Sequence, residues 1–265
     1  MRYLTVSIFV FTAMMAGCDD NVVPRVRQAS IDGLTLADLQ PTVIEKPAPV
    51  MLFMVTTFLM DAERAASVRS CYEDLPQGAI RFLDKKAFEA NGFFVSMGTG
   101  MQTGAVGRCL SQMGAEQFGQ ANLILDAGTE MPFSEVFIDA ERTLSYAADG
   151  GGSETVTLQY GNLGWTLTAR PDPTTPGRVH TRIQPVFTPR GLLNWPGAER
   201  YARKMEHRIE AGRFDVSLRD ADFVVLGVIR DSFEEMTTLE QILFMQPGRK
   251  DKMLLYVIMC VKVEG

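Results

Sequence analysis

The chain has 265 residues, of which 46% are hydrophobic and 22% are charged. This composition excludes a wholly disordered chain, because enough apolar surface is available to form a core. The formal net charge is −6 and no block of five like charges occurs. We therefore predict no nucleic-acid partner, since phosphate binding requires a concentrated basic face.

The first segment, residues 1–17, is predicted to be a signal peptide. Arg2 is followed by an apolar run from Tyr3 to Gly17 that only serine and threonine interrupt. This run is shorter than the roughly 20 residues that a membrane-spanning helix needs. A basic residue, an apolar stretch and a small-residue end are typical of a secretory signal, so the chain is predicted to be exported.

The segment Met15-Ala16-Gly17-Cys18 resembles the lipobox of bacterial lipoproteins, with Met at a first position where Leu is usual. The resemblance implies that Cys18 becomes the N-terminus, carries a diacylglycerol thioether and is acylated on its amine. Two or three acyl chains hold a protein stably in a bilayer. We therefore predict a lipid-anchored protein of the bacterial cell membrane, with its body facing the periplasm or the cell exterior.

Residues 18–49 are predicted to be the lipidated cysteine and a flexible tether. Prolines interrupt this stretch, and its apolar residues show no sustained period. As a coil, about 30 residues span on the order of 30 Å, which places a folded body clear of the bilayer. Asp19 and Asp20 are either an inner-membrane retention signal or solvated linker residues.

Residues 50–130 are predicted to form a small α/β domain with the order β-α-α-β-α-β. The apolar stretch from Val50 to Phe58 indicates a buried strand, and FFVSM and ANLILD indicate two more. Helices are predicted to start at Asp61, to cover residues 78–90 and to start again at Thr103, because apolar residues recur on one face.

Residues 131–265 are predicted to form a mostly antiparallel, β-rich domain, which makes the fold class α+β. ETVTLQY and WTLTAR alternate strictly around GNLG, which predicts a hairpin. FDVSL and FVVLGVI flank residues 219–222 and predict a second hairpin. The apolar stretch 253–263 predicts a strand at the centre of a sheet, and helices are predicted near 197–211 and 235–244.

Three glycines between strand and helix, Gly98, Gly100 and Gly104, form the pattern G-x-G-x-x-x-G. The dinucleotide fingerprint is G-x-G-x-x-G, so the third glycine stands one place late. Asp126 occupies the approximate position of a ribose-binding acid, but the β-rich half offers no second nucleotide-binding unit. We predict no cofactor, and an anion held by the backbone N–H groups of this turn is the remaining functional interpretation.

Three cysteines follow Cys18 in the chain. Cys71 and Cys109 are placed on separate predicted helices and can pair in an oxidising envelope, or both can be small buried thiols. Cys260 lies in an apolar strand, where packing explains it.

The titratable residues form no recognisable catalytic pattern. His180 is predicted on the solvent face of a strand, beside Arg178 and Arg182, and His207 on a charged helix surface. No H-x-x-x-H or C-x-x-C spacing occurs, so no metal site is predicted. Carboxylates clustered around loops are the candidates for acid–base chemistry without histidine, namely Asp126, Asp139, Glu141 and Asp149.

The segments RVHTRIQPVFTPR, FDVSLRDADFVVLGVI and LLYVIMCVKV resemble the strand order of secretin outer-membrane domains. Those domains have an extended strand ending in proline, a strand pair around an acidic turn, and a terminal strand. This chain has one glycine, Gly227, where a pair is usual. The resemblance implies an envelope β-domain that associates with other chains, for example by sheet-edge pairing, and carries over no pore function.

The anchor, the tether and the missing catalytic pattern together predict a non-enzymatic envelope lipoprotein. Its predicted role is scaffolding or accessory binding in an envelope assembly, with other envelope proteins as partners. A periplasmic binder of a small ligand or peptide, with a pocket between the two domains, is the first alternative. A carboxylate-dependent hydrolase is the second.

Overall fold

Two large antiparallel sheets organise the computed structural model, which describes residues 49–190, 206–230 and 232–264. Four short helices accompany them in these ranges: α1 Ala65–Arg69, α2 Lys85–Ala90, α3 Gly100–Gln112 and α4 Thr238–Phe244. The strands are β1 Val50–Asp61, β2 Ile80–Phe82, β3 Phe93–Gly98, β4 Glu116–Asp126, β5 Glu130–Ile138, β6 Arg142–Ala147, β7 Ser153–Leu158, β8 Gly161–Pro171, β9 Arg178–Pro189, β10 His207–Arg208, β11 Phe214–Arg219, β12 Phe223–Val228 and β13 Lys252–Glu264.

The first sheet has five strands in the order β3-β12-β13-β1-β4. Strand β13 lies at its centre, as its continuous apolar sequence predicts. The second sheet has the order β2-β11-β9-β8-β5, with β10 paired to β9 as its sixth strand. Strands β6 and β7 form a separate two-stranded sheet.

The core lies between the two large sheets and is closed by α4. Phe93 and Tyr256 come from the five-stranded sheet, Trp165 from the six-stranded sheet and Phe244 from α4, and all four are fully buried. The rings of Phe93 and Trp165 lie 5.4 Å apart, and those of Phe244 and Tyr256 lie 5.8 Å apart. Burying each such side chain contributes about 1.5–3 kcal/mol, so this cluster binds the two sheets together.

The boundary predicted near residue 130 does not separate the strands. β1 pairs with β13 along its whole length, and β3 pairs with β12, so both sides of residue 130 contribute to the five-stranded sheet. β2 likewise pairs with β11 in the other sheet. The described residues between 49 and 264 belong to one compact unit. The predicted α+β class, with antiparallel sheets, is confirmed.

The first predicted hairpin is wrong, because β7 pairs with β6 whereas β8 pairs with β5 and β9. The residues GNLG belong to strand β8 and do not form a turn. A Cβ at Gly161 would lie 2.5 Å from the carbonyl oxygen of Thr188, and one at Gly164 would lie 2.5 Å from that of Ser134. These glycines therefore allow the close approach of neighbouring backbones.

The second predicted hairpin is also wrong, since β11 lies in the six-stranded sheet and β12 in the five-stranded sheet. The chain crosses between the sheets at Arg219–Asp222. There the carboxylate of Asp222 accepts a hydrogen bond from the amide of Arg219 at 2.9 Å, and Ala221 has a φ of +67°. A tight turn thus joins strands of different sheets.

Several helix limits also differ from prediction. The region 78–90 contains β2 followed by α2, whose N-cap is Asp84, with its carboxylate 3.0 Å from the amide of Ala87. Helix α3 begins at Gly100, before Thr103. Helix α4 confirms the helix predicted near 235–244. Much of the helix predicted near 197–211 lies outside the described residues, but His207–Arg208 is strand β10.

Candidate functional site

Cys18, the signal peptide 1–17 and the tether up to residue 48 lie outside the described residues, so the lipid anchor stays a prediction. None of the helices in the described part of the chain has the length and hydrophobicity of a membrane-spanning segment.

The three glycines of the strand-to-helix connection do not line a common cradle. Gly98 ends strand β3, where a Cβ would clash with the ring of Phe223. Gly100 opens helix α3, and a Cβ there would lie 2.7 Å from the Cβ of Ala221. Gly104 lies within α3. Gly98 and Gly100 are needed because each packs closely against a residue at the start of β12 or in the turn before it, where a Cβ does not fit.

Cys71 and Cys109 form a disulfide, with their Cα atoms 5.6 Å apart. Cys71 lies just after α1 and Cys109 lies in helix α3, so the disulfide joins these two parts of the chain. Nearby, Tyr72 packs its ring 5.6 Å from that of Phe94 on β3. The disulfide thus holds the segment after α1 against helix α3, close to strand β3. Cys260 is buried in β13, and burial raises the pKa of its thiol to about 12, so it stays protonated.

The two histidines lie on different strands, β10 and β9, and contact different side chains. His207 on β10 shares a hydrogen bond of 3.0 Å with the hydroxyl of Tyr146, and His180 on β9 lies 3.3 Å from a carboxylate oxygen of Asp172. No group of three potential metal ligands occurs in the described ranges. The four loop acids are placed as follows: Asp126 ends β4, Asp139 and Glu141 precede β6, and Asp149 begins a short 3-10 turn.

Within the described ranges, β3, β4, β2 and β5 stand at the ends of the two large sheets, beside the two-residue strand β10 that pairs only with β9. Three of the four end strands are protected. Strand β2 has three residues. Strand β5 contains Pro132 and a register shift next to Ser134, which has a φ of +54°. Strand β3 is largely buried, and its Met97 amide donates to the carbonyl of Pro76 at 3.2 Å. Short length, proline, irregularity and coverage are the usual means of blocking an exposed edge.

Strand β4 differs from the other three edges. It has 11 residues and contains no proline, lysine or arginine. Phe118 is the extra residue of a β-bulge, beyond which the segment 119–126 pairs regularly with β1. No described strand pairs with its other side. We call this uncovered segment, residues 119–126, the β4 edge.

Two large apolar side chains stand out from strand β4. Ile124 is 66% exposed and Phe118 is 57% exposed. Leu123 and Leu125 on the opposite face are buried, so the alternation expected for a half-buried strand is present. Ile124 lies opposite Leu52 on β1, which is partly buried. The β4 edge therefore combines free backbone groups with an apolar side chain.

The structure also contains a groove of about 660 Å³. It lies on the face of the six-stranded sheet that points away from the core, whereas the alternative of a small-ligand or peptide binder placed a pocket between two domains. Its walls come from strands β2, β8, β9 and β11 and from the loops next to them.

The sequence matches no family model and no curated protein. Among solved structures, the Type IV competence pilus secretin PilQ of V. cholerae aligns with 11% identity and a TM-score of 0.23, covering 81% of this chain and 57% of that one. The InvG secretin-domain β-barrel of the Salmonella SPI-1 injectisome aligns with 7% identity and a TM-score of 0.15, covering 82% and 62%. The resemblance to secretin β-domains is weak, and this chain spans less than two thirds of either structure.

Sequence reasoning missed the β4 edge. The prediction started the strand at residue 121 and said nothing about its neighbours. The sequence offers only one hint, which is that QFGQANLIL is a long uncharged stretch without lysine or proline. Its position at the edge depends on the pairing of β1 with β13, which no local pattern reveals.

Proposed function

We propose that this protein is a non-enzymatic, lipid-anchored envelope protein that acts as a scaffold or accessory binding protein, with the β4 edge accepting an extended strand from a partner. The observation that carries the proposal is the contrast between the β4 edge and the three protected edges. Strand addition to an open edge is a common mode of protein recognition.

The energetics favour a contact of moderate strength. In an antiparallel sheet, alternate residues of an edge strand direct their N–H and C=O groups away from the existing neighbour. Each new backbone hydrogen bond contributes about 0.5–1.5 kcal/mol net. Covering the 66% of Ile124 that is exposed adds about 1–2 kcal/mol. Several such bonds with one apolar contact are enough for recognition, but not for a very tight complex.

The predicted anchor at Cys18 increases the occupancy of a contact of moderate affinity. A tether of about 30 residues confines the body to within on the order of 30 Å of the membrane. Partners in the same membrane then meet the β4 edge at a high effective concentration, which strengthens a weak interaction without new contacts.

Site-specific photo-crosslinking in native membranes tests this proposal. A photoreactive phenylalanine analogue replaces Gln120, which is exposed on β4. We expect a discrete crosslinked product that disappears in the Ile124→Lys background, because a lysine on an edge disfavours strand pairing. Met101→Lys is the matched control, since Met101 is 94% exposed and lies on helix α3.

The control background should keep the product. A product that survives Ile124→Lys unchanged, or that Met101→Lys removes equally well, would exclude the β4 edge as the contact surface. A separate test of the anchor is Cys18→Ala, which should abolish acylation.

A further inference from the structure

The outward face of the six-stranded sheet carries a concentration of arginines that the net charge of −6 conceals. Along β9, the side chains of Arg178, His180 and Arg182 share this face, because Val179 and Thr181 between them are 0% and 1% exposed and belong to the core side. The alternation noted in the sequence thus places three basic side chains on one surface.

Neighbouring strands extend this surface on both sides of His180. Arg170 on β8 and Ser217 on β11 lie opposite His180 in the strand register. Asp172, next to His180, accepts hydrogen bonds from the amide of Thr174 at 2.8 Å and from its hydroxyl at 2.6 Å. These bonds hold the pKa of Asp172 below its ordinary value, so its carboxylate is ionised and already occupied.

A second row crosses the same face at Arg182. Arg182 donates from Nε to a carboxylate oxygen of Asp215 at 2.8 Å. Thr168 lies on the other side of Arg182, and Arg81 on β2 lies opposite Asp215. These side chains line the groove of about 660 Å³, which is within the usual size range of small-molecule sites. We call it the arginine groove, defined by Arg81, Arg170, Arg178 and Arg182.

Positive charge in the groove is only partly compensated. Two aspartates, Asp172 and Asp215, face four arginines. Arg81, Arg170 and Arg178 make no ion pair with any residue in the described ranges. Guanidinium groups grouped on one wall repel each other, and an anion between them relieves that repulsion.

Unsatisfied polar atoms also indicate that the groove binds an anion. Nε of Arg178 and Oγ of Ser217 are closed off from solvent and have no hydrogen-bond partner within the described chain. Leaving a buried polar atom without a partner is costly, and a bound ligand with acceptor oxygens removes that cost at the donor of Arg178.

We propose that the arginine groove binds a small molecule that carries two or more anionic groups, phosphate or carboxylate, together with hydroxyl groups. Guanidinium groups bind both kinds of oxyanion in a bidentate manner. The hydroxyls of Thr168, Thr174 and Ser217 and the carboxylate of Asp215 suit the ligand's hydroxyls. Among the described residues that line the groove there is no Phe, Tyr or Trp, and the one aromatic ring is the imidazole of His180.

Titration calorimetry of the purified protein with four probes tests this assignment. Pyrophosphate and citrate represent the phosphate and the carboxylate source, glucose is the uncharged control, and vesicles containing phosphatidylglycerol represent an anionic lipid surface. We expect pyrophosphate or citrate to bind with a dissociation constant below about 1 mM at low salt, and binding to weaken as salt increases. Glucose should not bind measurably.

Two groove variants localise the binding. Arg170→Gln and Arg178→Gln should each weaken binding of the preferred anion by about tenfold, since each removes a charge-assisted contact. Arg142→Gln is the matched control, because Arg142 is exposed on β6 and does not line the groove. Equal thermal unfolding temperatures of the three variants would establish that the groove changes do not act through misfolding.

Three results would overturn the assignment: no binding of either soluble anion, binding only to anionic vesicles, or equal weakening by Arg142→Gln. The site is independent of the function proposed for the β4 edge. Photo-crosslinking at Gln120 in the Arg170→Gln variant distinguishes the two, because loss of anion binding should leave that product unchanged.

Discussion

The two large sheets share an antiparallel design, but they expose different chemical groups. In the five-stranded sheet, the disulfide joins the segment after α1 to helix α3 near strand β3, and β4 at the opposite edge has no second described strand beside it. The six-stranded sheet has two protected edges and presents an open outward face with four arginines. One sheet therefore offers backbone hydrogen bonds, and the other offers charged side chains.

This difference shows that one fold can carry two kinds of binding surface. Backbone groups at an edge recognise any extended chain and select little by sequence, with apolar side chains adding some specificity. Arginines on a sheet face recognise charge and geometry and need no backbone from the ligand. The following changes are ordered by the size of the expected effect, and each tests one part of the contrast.

Removing the disulfide should cause the largest loss of stability. In the Cys71→Ser/Cys109→Ser variant we expect the free energy of unfolding to fall by about 2–4 kcal/mol, because the crosslink closes a loop with a sequence separation of 38 residues. Urea denaturation measures this, with wild-type protein under reducing conditions as the matched comparison. A loss below about 0.5 kcal/mol would mean that the helices are held by packing alone.

The second change concerns the ion pair beside the protected β3 edge. Glu240 on α4 is fully buried and contacts Arg230, which also donates to the carbonyl of Ala90 at 3.1 Å. Burial raises the pKa of Glu240 above its ordinary value, in spite of hydrogen bonds from Thr237 and the charge of Arg230. The folded state thus holds this proton more tightly than the unfolded state, so stability falls as pH rises through the folded-state pKa.

Arg230→Gln should enlarge this pH dependence, because it leaves the ionised Glu240 without its cation. We expect a loss of about 2 kcal/mol at pH 7 and a smaller loss at pH 4, after discounting for the partial exposure of Arg230. Urea denaturation at both pH values provides the measurement, and Arg142→Gln is the exposed control. An equal loss at the two pH values would contradict the electrostatic explanation.

The smallest effect on stability is expected at the β4 edge. Ile124→Lys should change the free energy of unfolding by no more than about 0.5 kcal/mol, because the side chain is 66% exposed. Thermal unfolding beside Met101→Lys checks this value. A loss of 2 kcal/mol or more would show that Ile124 is part of the folded core, and the crosslinking result could then not be assigned to a lost interaction.

Local sequence patterns predicted many of the strands and helices but few of the strand pairings. Strands β1, β3, β9 and β13 were recognised because apolar residues cluster or alternate along them. The turn at Arg219–Asp222 was also recognised, but it joins two sheets and forms no hairpin. GNLG was misread because a glycine needed for close backbone approach looks like a turn glycine in sequence.

The candidate surfaces were predictable to different degrees. The alternation of Arg178, His180 and Arg182 placed them on one solvent face, and the structure agrees. Arg81 and Arg170 are far from them in sequence, and only the pairing of β2 with β11 and of β8 with β9 brings them to the same groove. The absence of lysine and proline in β4 is visible in the sequence, but the position of β4 at an edge is not, because it depends on which described strands pair with β1.

Local composition and period in the sequence predict the export signal, the mixed α+β class and the central position of β13, whereas the resemblance of residues 15–18 to a lipobox predicts the lipid anchor. Only the tertiary structure decided that β1 pairs with β13, that β4 stays at an edge and that four arginines share one groove. The physical reason is that strand partners are chosen by contacts between residues as far apart as Val50 and Glu264. Such contacts leave no periodic trace in either segment alone.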